Sequence, residues 1–209
     1  MSDARSRVLQ RVREACRTAR VPEATAPELV RCSLPEAQWL ERFRGELEAL
    51  NSRCSVVSTE SALHELVHSE IAGKTVLGWD PERLPYGLSG QLDVSRSYLK
   101  GSADGEAKAA AEVGLTGVAL AAAETGSIVL MPRSGEPRTA SLLPLKHIAI
   151  VRADQMRADL AQCLEELQGQ FGESSQVNVI TGQSRSADIE LSLILGMHGP
   201  AELHVIVGP

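Results

Sequence analysis

Residues Cys54–Trp79, CSVVSTESALHELVHSEIAGKTVLGW, decide the fold class. Cys54 to Ser58 is a short run around two valines and reads as a buried strand. Thr59 follows, and its hydroxyl can accept from the unpaired amides of a first helical turn. Ala62, Leu63, Leu66 and Val67 then form an apolar stripe at helical spacing that runs on to Ile71. Gly73 ends the helix, and Thr75 to Trp79 is the next strand. Strand, helix and strand in so short a span call for a parallel pair joined by a right-handed crossover, which makes this an α/β protein.

Toward the N terminus, Pro35 to Leu50 reads as a helix with proline in its first turn and Trp39, Leu40, Phe43, Leu47 and Leu50 on one face. Val21 to Pro35, with Pro22, Pro27 and Pro35, reads as an extended linker. Asp3 to Arg20 is a short amphipathic helix: Val8, Leu9, Val12, Ala15 and Cys16 recur at helical spacing among six arginines. Those arginines suit an anionic partner or a solvated face that also touches a neighbouring subunit of a homo-oligomer. The expected organisation is a helical arm and linker over residues 1–34, then one α/β domain over 35–209.

Toward the C terminus, Asp80 to Gly105 reads as loops around a weak strand near Leu92, and Glu106 to Glu112 as a short helix. Val118–Ala123 and Ser127–Met131 are strand-like runs joined by Glu124-Thr125-Gly126, a hairpin that would add an antiparallel element to the sheet. Arg138–Leu143 is one helical turn, His147–Val151 a strand, Asp154–Gln168 a helix and Val177–Thr181 a strand. Ala187–Leu195 fits helix or strand, and Leu203–Val207 closes the sheet.

Composition removes several function classes. A net charge of -6 and only 3% aromatic residues argue against a nucleic-acid partner, which needs a basic footprint and stacking platforms. Cys16, Cys32, Cys54 and Cys163 show no C-x-x-C spacing, so neither a zinc ribbon nor a cubane iron-sulfur cluster can be built from local ligands. The opening residues carry no apolar signal stretch and no run reaches membrane-spanning length, so a cytoplasmic protein without a membrane span is expected.

Three constellations carry chemistry. In Thr181-Gly182-Gln183-Ser184-Arg185-Ser186 a strand ends in a loop that opens a helix, so free amides and the Arg185 guanidinium converge as an anion cradle. The alternative is a loop in which Ser186 caps the helix and Arg185 pairs with Asp188 or Glu190. The lysine of a P-loop and the three glycines of a dinucleotide fingerprint are missing. Glu124 sits at a hairpin tip, where a carboxylate is solvated unless Thr125, Gly126 and Ser127 orient it or bind an oxyanion. His198 precedes Gly199-Pro200 and suits a general acid or base, whereas His147 opens a strand and suits a structural bond to a loop carbonyl. His64 and His68 lie one helical turn apart beside Glu65 and read as a wet helix face, and no metal site is expected.

These same residues carry a resemblance. Gly114, Thr116 and Gly117 match a glycine-threonine-glycine turn, Glu124-Thr125-Gly126 a Glu-Thr-Gly turn, and Ser141-Leu142-Leu143-Pro144 with His147-Ile148 a leucine-leucine-proline and histidine-isoleucine run. Arg185, Asp188, Ile189, Glu190, His198, Gly199 and Pro200 complete the set. In that order they resemble the LUD domain shared by bacterial lactate-utilisation proteins, most of all the C subunit of that system. Ser127, Gln183 and Ala119-Leu120 depart from the pattern.

The resemblance implies a three-layer αβα fold with a mostly parallel sheet, similar to the sugar-phosphate isomerase and coenzyme A transferase superfamily. It implies a part in oxidising L-lactate to pyruvate beside sibling subunits that hold the iron-sulfur clusters, with no cofactor on this chain. In the transferases a glutamate in a Glu-x-Gly turn is the nucleophile, a role that would fall on Glu124. The expected site therefore gathers Glu124, Arg185 and His198 around a small carboxylate or organic phosphate, with Gly114, Thr116, Gly117, Thr125, Gly126, Ser127, His147, Ser184, Ser186, Asp188 and Gly199 contributing contacts. An independent acyl or coenzyme A transferase using Glu124, or a purely structural assembly subunit, are the alternatives.

Overall fold

Strands β7 (Lys146–Arg152) and β12 (Glu202–Gly208) anchor the main sheet, being the longest strands among the described residues and buried on both faces. Ile148, Ile150, Val205 and Ile206 have no exposed surface, and each such side chain contributes on the order of 1.5–3 kcal/mol when removed from water. Around them stand β1 (Arg53–Val56), β2 (Val76–Gly78), β3 (Ser97–Tyr98) and β4 (Val113–Thr116). The order is β1-β12-β7-β4-β2-β3 and every neighbouring pair is parallel. The computed structural model describes residues 2–19, 31–93, 95–98, 104–174, 176–186 and 194–209.

Flanking helices complete the mostly parallel αβα architecture. Helix α1 (Ser2–Thr18) belongs to a first compact unit that ends at Val30; its Val8 and Val12 are exposed. The second unit, Arg31–Pro209, holds α2 (Trp39–Ala49), α3 (Glu60–Ile71), α4 (Gly105–Ala109) and α5 (Leu160–Leu167). Thr59 Oγ1 accepts from Ala62 N at 3.2 Å and so starts α3, a cap worth about 1 kcal/mol. Strand alternation puts Lys146, Ile148 and His204 on the face toward α3, since Glu70 of α3 reaches both Lys146 and His204. His147, level with Gly114 and Leu203, therefore lies on the opposite face, where the 3-10 turn Arg138–Ser141 packs on β4.

A second sheet has the order β8-β5-β6-β9, made of β5 (Leu120–Ala122), β6 (Ser127–Leu130), β8 (Met156–Arg157) and β9 (Asn178–Ile180). Ala121, Ile128 and Leu130 join the main core, while Leu120, Ala122 and Val129 pack with Cys163 and Leu167 of α5. A short antiparallel ribbon of β10 (Arg185–Ser186) and β11 (Ile194–Leu195) lies apart from both sheets.

Several local expectations change. The strands flanking α3 are not neighbours: three strands stand between β1 and β2, because β1 leaves Val56 44% exposed and fits only an edge. Residues 113–116 are a buried central strand, not a turn, and β12 lies inside the sheet instead of closing it. The hairpin builds the second sheet instead of extending the first. The helix expected from Asp154 begins only at Leu160, where Asp159 caps it by accepting from Gln162 N at 2.7 Å. Leu92 is the buried end of a 3-10 segment, and the strand of that region is Ser97–Tyr98. The loop after β9 enters the β10–β11 ribbon at Arg185 instead of opening a helix there. The ambiguous segment's residues 187–193, Asp188 among them, lie outside the described residues.

Candidate functional site

His147 is 1% exposed, and its Nε2 lies 2.8 Å from Thr116 Oγ1 on β4. Its Nδ1 is closed to solvent and has no partner. Burial pushes the imidazole pKa down to about 4, so the ring is neutral at physiological pH, with one donor and one acceptor nitrogen. If the Thr116 hydroxyl donates to Nε2, Nδ1 carries the hydrogen and can meet a carboxylate oxygen. In the other tautomer Nδ1 accepts, and a hydroxyl can meet it. Left unmet, either costs on the order of 1–3 kcal/mol.

His147 lines a cleft of about 220 Å³ together with Ser141, Thr181, Ser184, His198 and Gly199. Ser184 ties the two sides of the mouth together. Its N donates to Pro200 O at 2.9 Å, its carbonyl accepts from Gly196 N at 3.1 Å, and its Oγ accepts from His198 N at 3.4 Å. Gly182 takes a left-handed φ of 80° against Leu50, which turns the chain after β9 back toward this mouth. His198 is exposed at the rim. Leu142, Val179 and Leu203 supply apolar wall. The arrangement is that of a small-ligand cleft: largely apolar, with two imidazoles and three hydroxyls set at fixed points.

The remaining expected residues separate. Glu124 is exposed at the hairpin tip and lines a different hollow with Leu34, Pro35 and Arg42, whose guanidinium donates to the Glu124 backbone carbonyl at 3.4 Å. Thr125 Oγ1 and Ser127 Oγ are 2.7 Å apart, and Ser127 Oγ is 2.7 Å from Thr181 Oγ1, so a line of hydroxyls runs from this turn to the cleft. Arg185 and Ser186 form β10, where Arg185 is exposed and pairs in register with Leu195. Gly114 serves packing, since a Cβ there would stand 1.8 Å from the Ala140 carbonyl oxygen. Gly126, at φ 63°, makes the hairpin turn and lies against Glu46 and Leu47. Gly117 leaves β4 at the other end of the sheet, on a crevice with Trp79, Arg83, Arg133, Glu136 and Arg152. None of those five was singled out as a site residue from sequence, although Trp79 ends one expected strand and Arg152 directly follows another, where α/β folds place ligands.

A partly buried ion network was also missed, running from exposed Arg53 to buried His204. Glu70 pairs with Lys146 and, at 2.9 Å, with Arg53, while its other neighbour, His204, bonds Ser55 Oγ through Nε2 at 2.9 Å. Burial pushes the Glu70 carboxyl up, but Lys146, Arg53 and His204 outweigh it and hold the group below the usual carboxylate range. Burial, with the charges of Arg53 and Lys146, pushes His204 down to about 4. Among the described residues no group of three or more His, Cys, Asp or Glu side chains is placed to hold a metal ion, and no helix is long and apolar enough to cross a membrane.

The family model of the LUD domain matches residues 40–207. The chain belongs to the LUD domain family. Lactate utilization protein C of Shouchella clausii is 35% identical over 156 residues, covering 71% of this chain and 68% of that one. Its namesake from Anoxybacillus flavithermus is 29% identical over 202 residues, 85% of this LUD chain and 91% of the relative. A crystal structure of a DUF162 family protein from Deinococcus radiodurans superposes with a TM-score of 0.65 at 22% identity, over 84% of this chain and 99% of that one, and supports the α/β fold of the domain.

Proposed function

We propose that this LUD protein is a component of a lactate-utilisation system and binds a small carboxylate in the cleft of His147, Ser184 and His198. Two relatives alike over most of the chain are named lactate utilization protein C, which supports the first half of this reading. The second half rests on one observation, a cleft rimmed by hydroxyls and lined by His147, whose unpartnered Nδ1 comes within a ligand's reach once the wall that closes it gives way. A 2-hydroxy acid presents both a carboxylate and a hydroxyl, and so matches His147 in either tautomer. A neutral ring with a pKa of about 4 is a poor general base, so His147 orients the ligand and the solvent-facing His198 is the group available for proton transfer. On this reading the chain acts in lactate oxidation beside subunits that carry iron-sulfur centres, its own four cysteines showing no C-x-x-C spacing.

The test is titration of the 15N-labelled protein with L-lactate and with pyruvate. Amides of 182–184 and 198–199 are expected to shift saturably, and His147→Asn or Ser184→Ala to weaken binding by roughly tenfold, the loss of about one buried hydrogen bond. Unchanged affinity in both variants would refute the cleft.

A further inference from the structure

We propose that the crevice at the carboxyl ends of β2, β4 and β7 is a second binding site, which takes a hydroxyl-bearing organic anion larger than a three-carbon acid. It measures about 410 Å³, against about 220 Å³ for the cleft. Trp79 and Arg83 come from the chain leaving β2, Gly117 from that leaving β4, and Arg152 ends β7. Open α/β sheets bind ligands outside the carboxyl ends of their strands, and the His147 cleft is at the opposite ends. His147 and Arg152 are five residue steps apart on β7, roughly 16 Å, and the two sites share no lining residue.

The class of ligand follows from groups that the fold leaves unmatched. Among the described residues the Arg83 guanidinium and the Glu136 carboxyl make no hydrogen bond or ion pair, although they are close enough for Arg83 and Arg133 to act on the charge of Glu136. Arg133 bonds Gln170 through Nη2 and only approaches Glu173 at 3.8 Å, while its Nε is closed to water and has no partner. Arg152 pairs with Asp154, whose side chain is 72% exposed, an exchangeable surface pair. Glu136 is half-buried, and that burial pushes its pKa up against the pull of Arg133 and Arg83.

Guanidinium donors at this spot suit an oxyanion bidentately. Glu82 and Glu166 also line the crevice, Glu166 already held by Arg157, so a bare anion would set its charge against carboxylates and above all against the unbonded Glu136, whereas an anion that carries hydroxyls donates one to Glu136 and turns that repulsion into a contact. Trp79, Leu84 and Met131 give the body of the ligand an apolar wall. Gly117 keeps the wall open, since its Cβ would press on the Trp79 ring at 3.0 Å.

The experiment is an amide-shift titration of the full chain with glycerol 3-phosphate and with gluconate, which separate a phosphoryl from a carboxylate head, and with L-lactate and sodium sulfate as references. Either polyol anion is expected to shift amides of 117–120 and 133–136 and to bind at least about tenfold tighter there than sulfate or lactate. The double variant Arg83→Gln, Arg133→Gln should lose that preference, and exposed Arg83→Gln alone, which touches no buried contact, should weaken it about fivefold. His147→Asn should leave it unchanged, so failure here and failure of the lactate cleft are told apart. Shifts that track ionic strength, persist in both arginine variants, or are absent up to about 20 mM of each polyol anion would overturn the proposal.

Discussion

Gly114→Ala tests the packing that holds the cleft in place. The new Cβ would fall 1.8 Å from the Ala140 carbonyl oxygen, 3.0 Å from its carbon and 3.3 Å from Pro144 Cγ. Carbon and oxygen in ordinary contact need about 3.5 Å, so the two backbones must part by more than about 1.5 Å. Neither can yield cheaply: β4 is clamped between β2 and β7, and Ala140 sits inside a 3-10 turn closed by its own N–H to Pro137 O at 3.2 Å. Overpacking of this kind costs about 1–3 kcal/mol, and a backbone clash belongs at the upper end. At about 2–4 °C per kcal/mol for a domain of this size, thermal unfolding followed by circular dichroism should fall by roughly 6–12 °C. Because Ser141 ends that turn and lines the cleft, lactate affinity should fall too. Gly90→Ala, with nothing within 4 Å of its Cβ, is the control and should shift the midpoint by less than about 2 °C. A Gly114→Ala protein that melts with the control would refute the packing argument.

His147 and His204 have folded pKa values of about 4 against an ordinary 6.5, so their contribution to stability is complete above about pH 6.5 and is lost as the unfolded chain takes up protons toward pH 4. Glu70, held below its ordinary value, adds a loss of the same sign at lower pH; unfolding free energies from urea titrations should fall between pH 7.5 and 4.5 by about 2.5 kcal/mol per buried imidazole, and His204→Gln should flatten the curve. Lys146→Met removes the nearest cation from Glu70 and should cost about 3 kcal/mol in urea unfolding, while Lys146→Arg should restore part of it. Asp159→Ala deletes the cap of α5 and the acceptor for Cys32 N at 3.0 Å, an expected loss of about 2 kcal/mol, with Asp159→Asn intermediate. Glu124→Gln should leave lactate affinity in the cleft within about twofold by calorimetry, because the carboxylate lines another hollow.

What could be read from sequence was whatever depends on local chemistry. The α3 cap at Thr59, the left-handed Gly73 and the hairpin turn at Gly126 follow from residues within a few positions of one another. Strand order does not. Nothing near Cys54 tells that β12 instead of β2 will lie beside it; that is fixed by the burial of strands more than a hundred residues away. The same limit explains Gly114: a glycine beside Thr116-Gly117 looks like a turn, and only the approach of Ala140 reveals a strand that needs a missing Cβ. His147 lies in the strand expected there, but as its second residue and bonded to the Thr116 hydroxyl of β4 instead of a loop carbonyl, and its empty Nδ1 is a property of the surrounding fold. Arg133 and Glu136 flank a turn at Gly135 and carry no spacing signal, so the crevice was not legible as a constellation.

The Glu-Thr-Gly turn shows how a motif can suggest one chemistry while its residues serve another purpose. Gly126 supplies the positive φ and lets the hairpin lie against α2, where a Cβ would meet Leu47 N at 3.0 Å. Thr125 and the 1% exposed Ser127 carry a hydroxyl line to Thr181, so the hairpin is keyed to the strand end that forms the cleft. Three of the four residues from 124 to 127 are therefore accounted for by geometry. The Glu124 backbone is held as well, its N–H donating to Ala158 O at 2.9 Å and its carbonyl accepting from Arg42. Its carboxylate, by contrast, makes no hydrogen bond among the described residues, and an exposed carboxylate without a desolvating wall or an activating partner lacks what a glutamate nucleophile needs. The shape of the hairpin thus follows from Gly126 and the two hydroxyls, with no demand for a reactive carboxylate at Glu124.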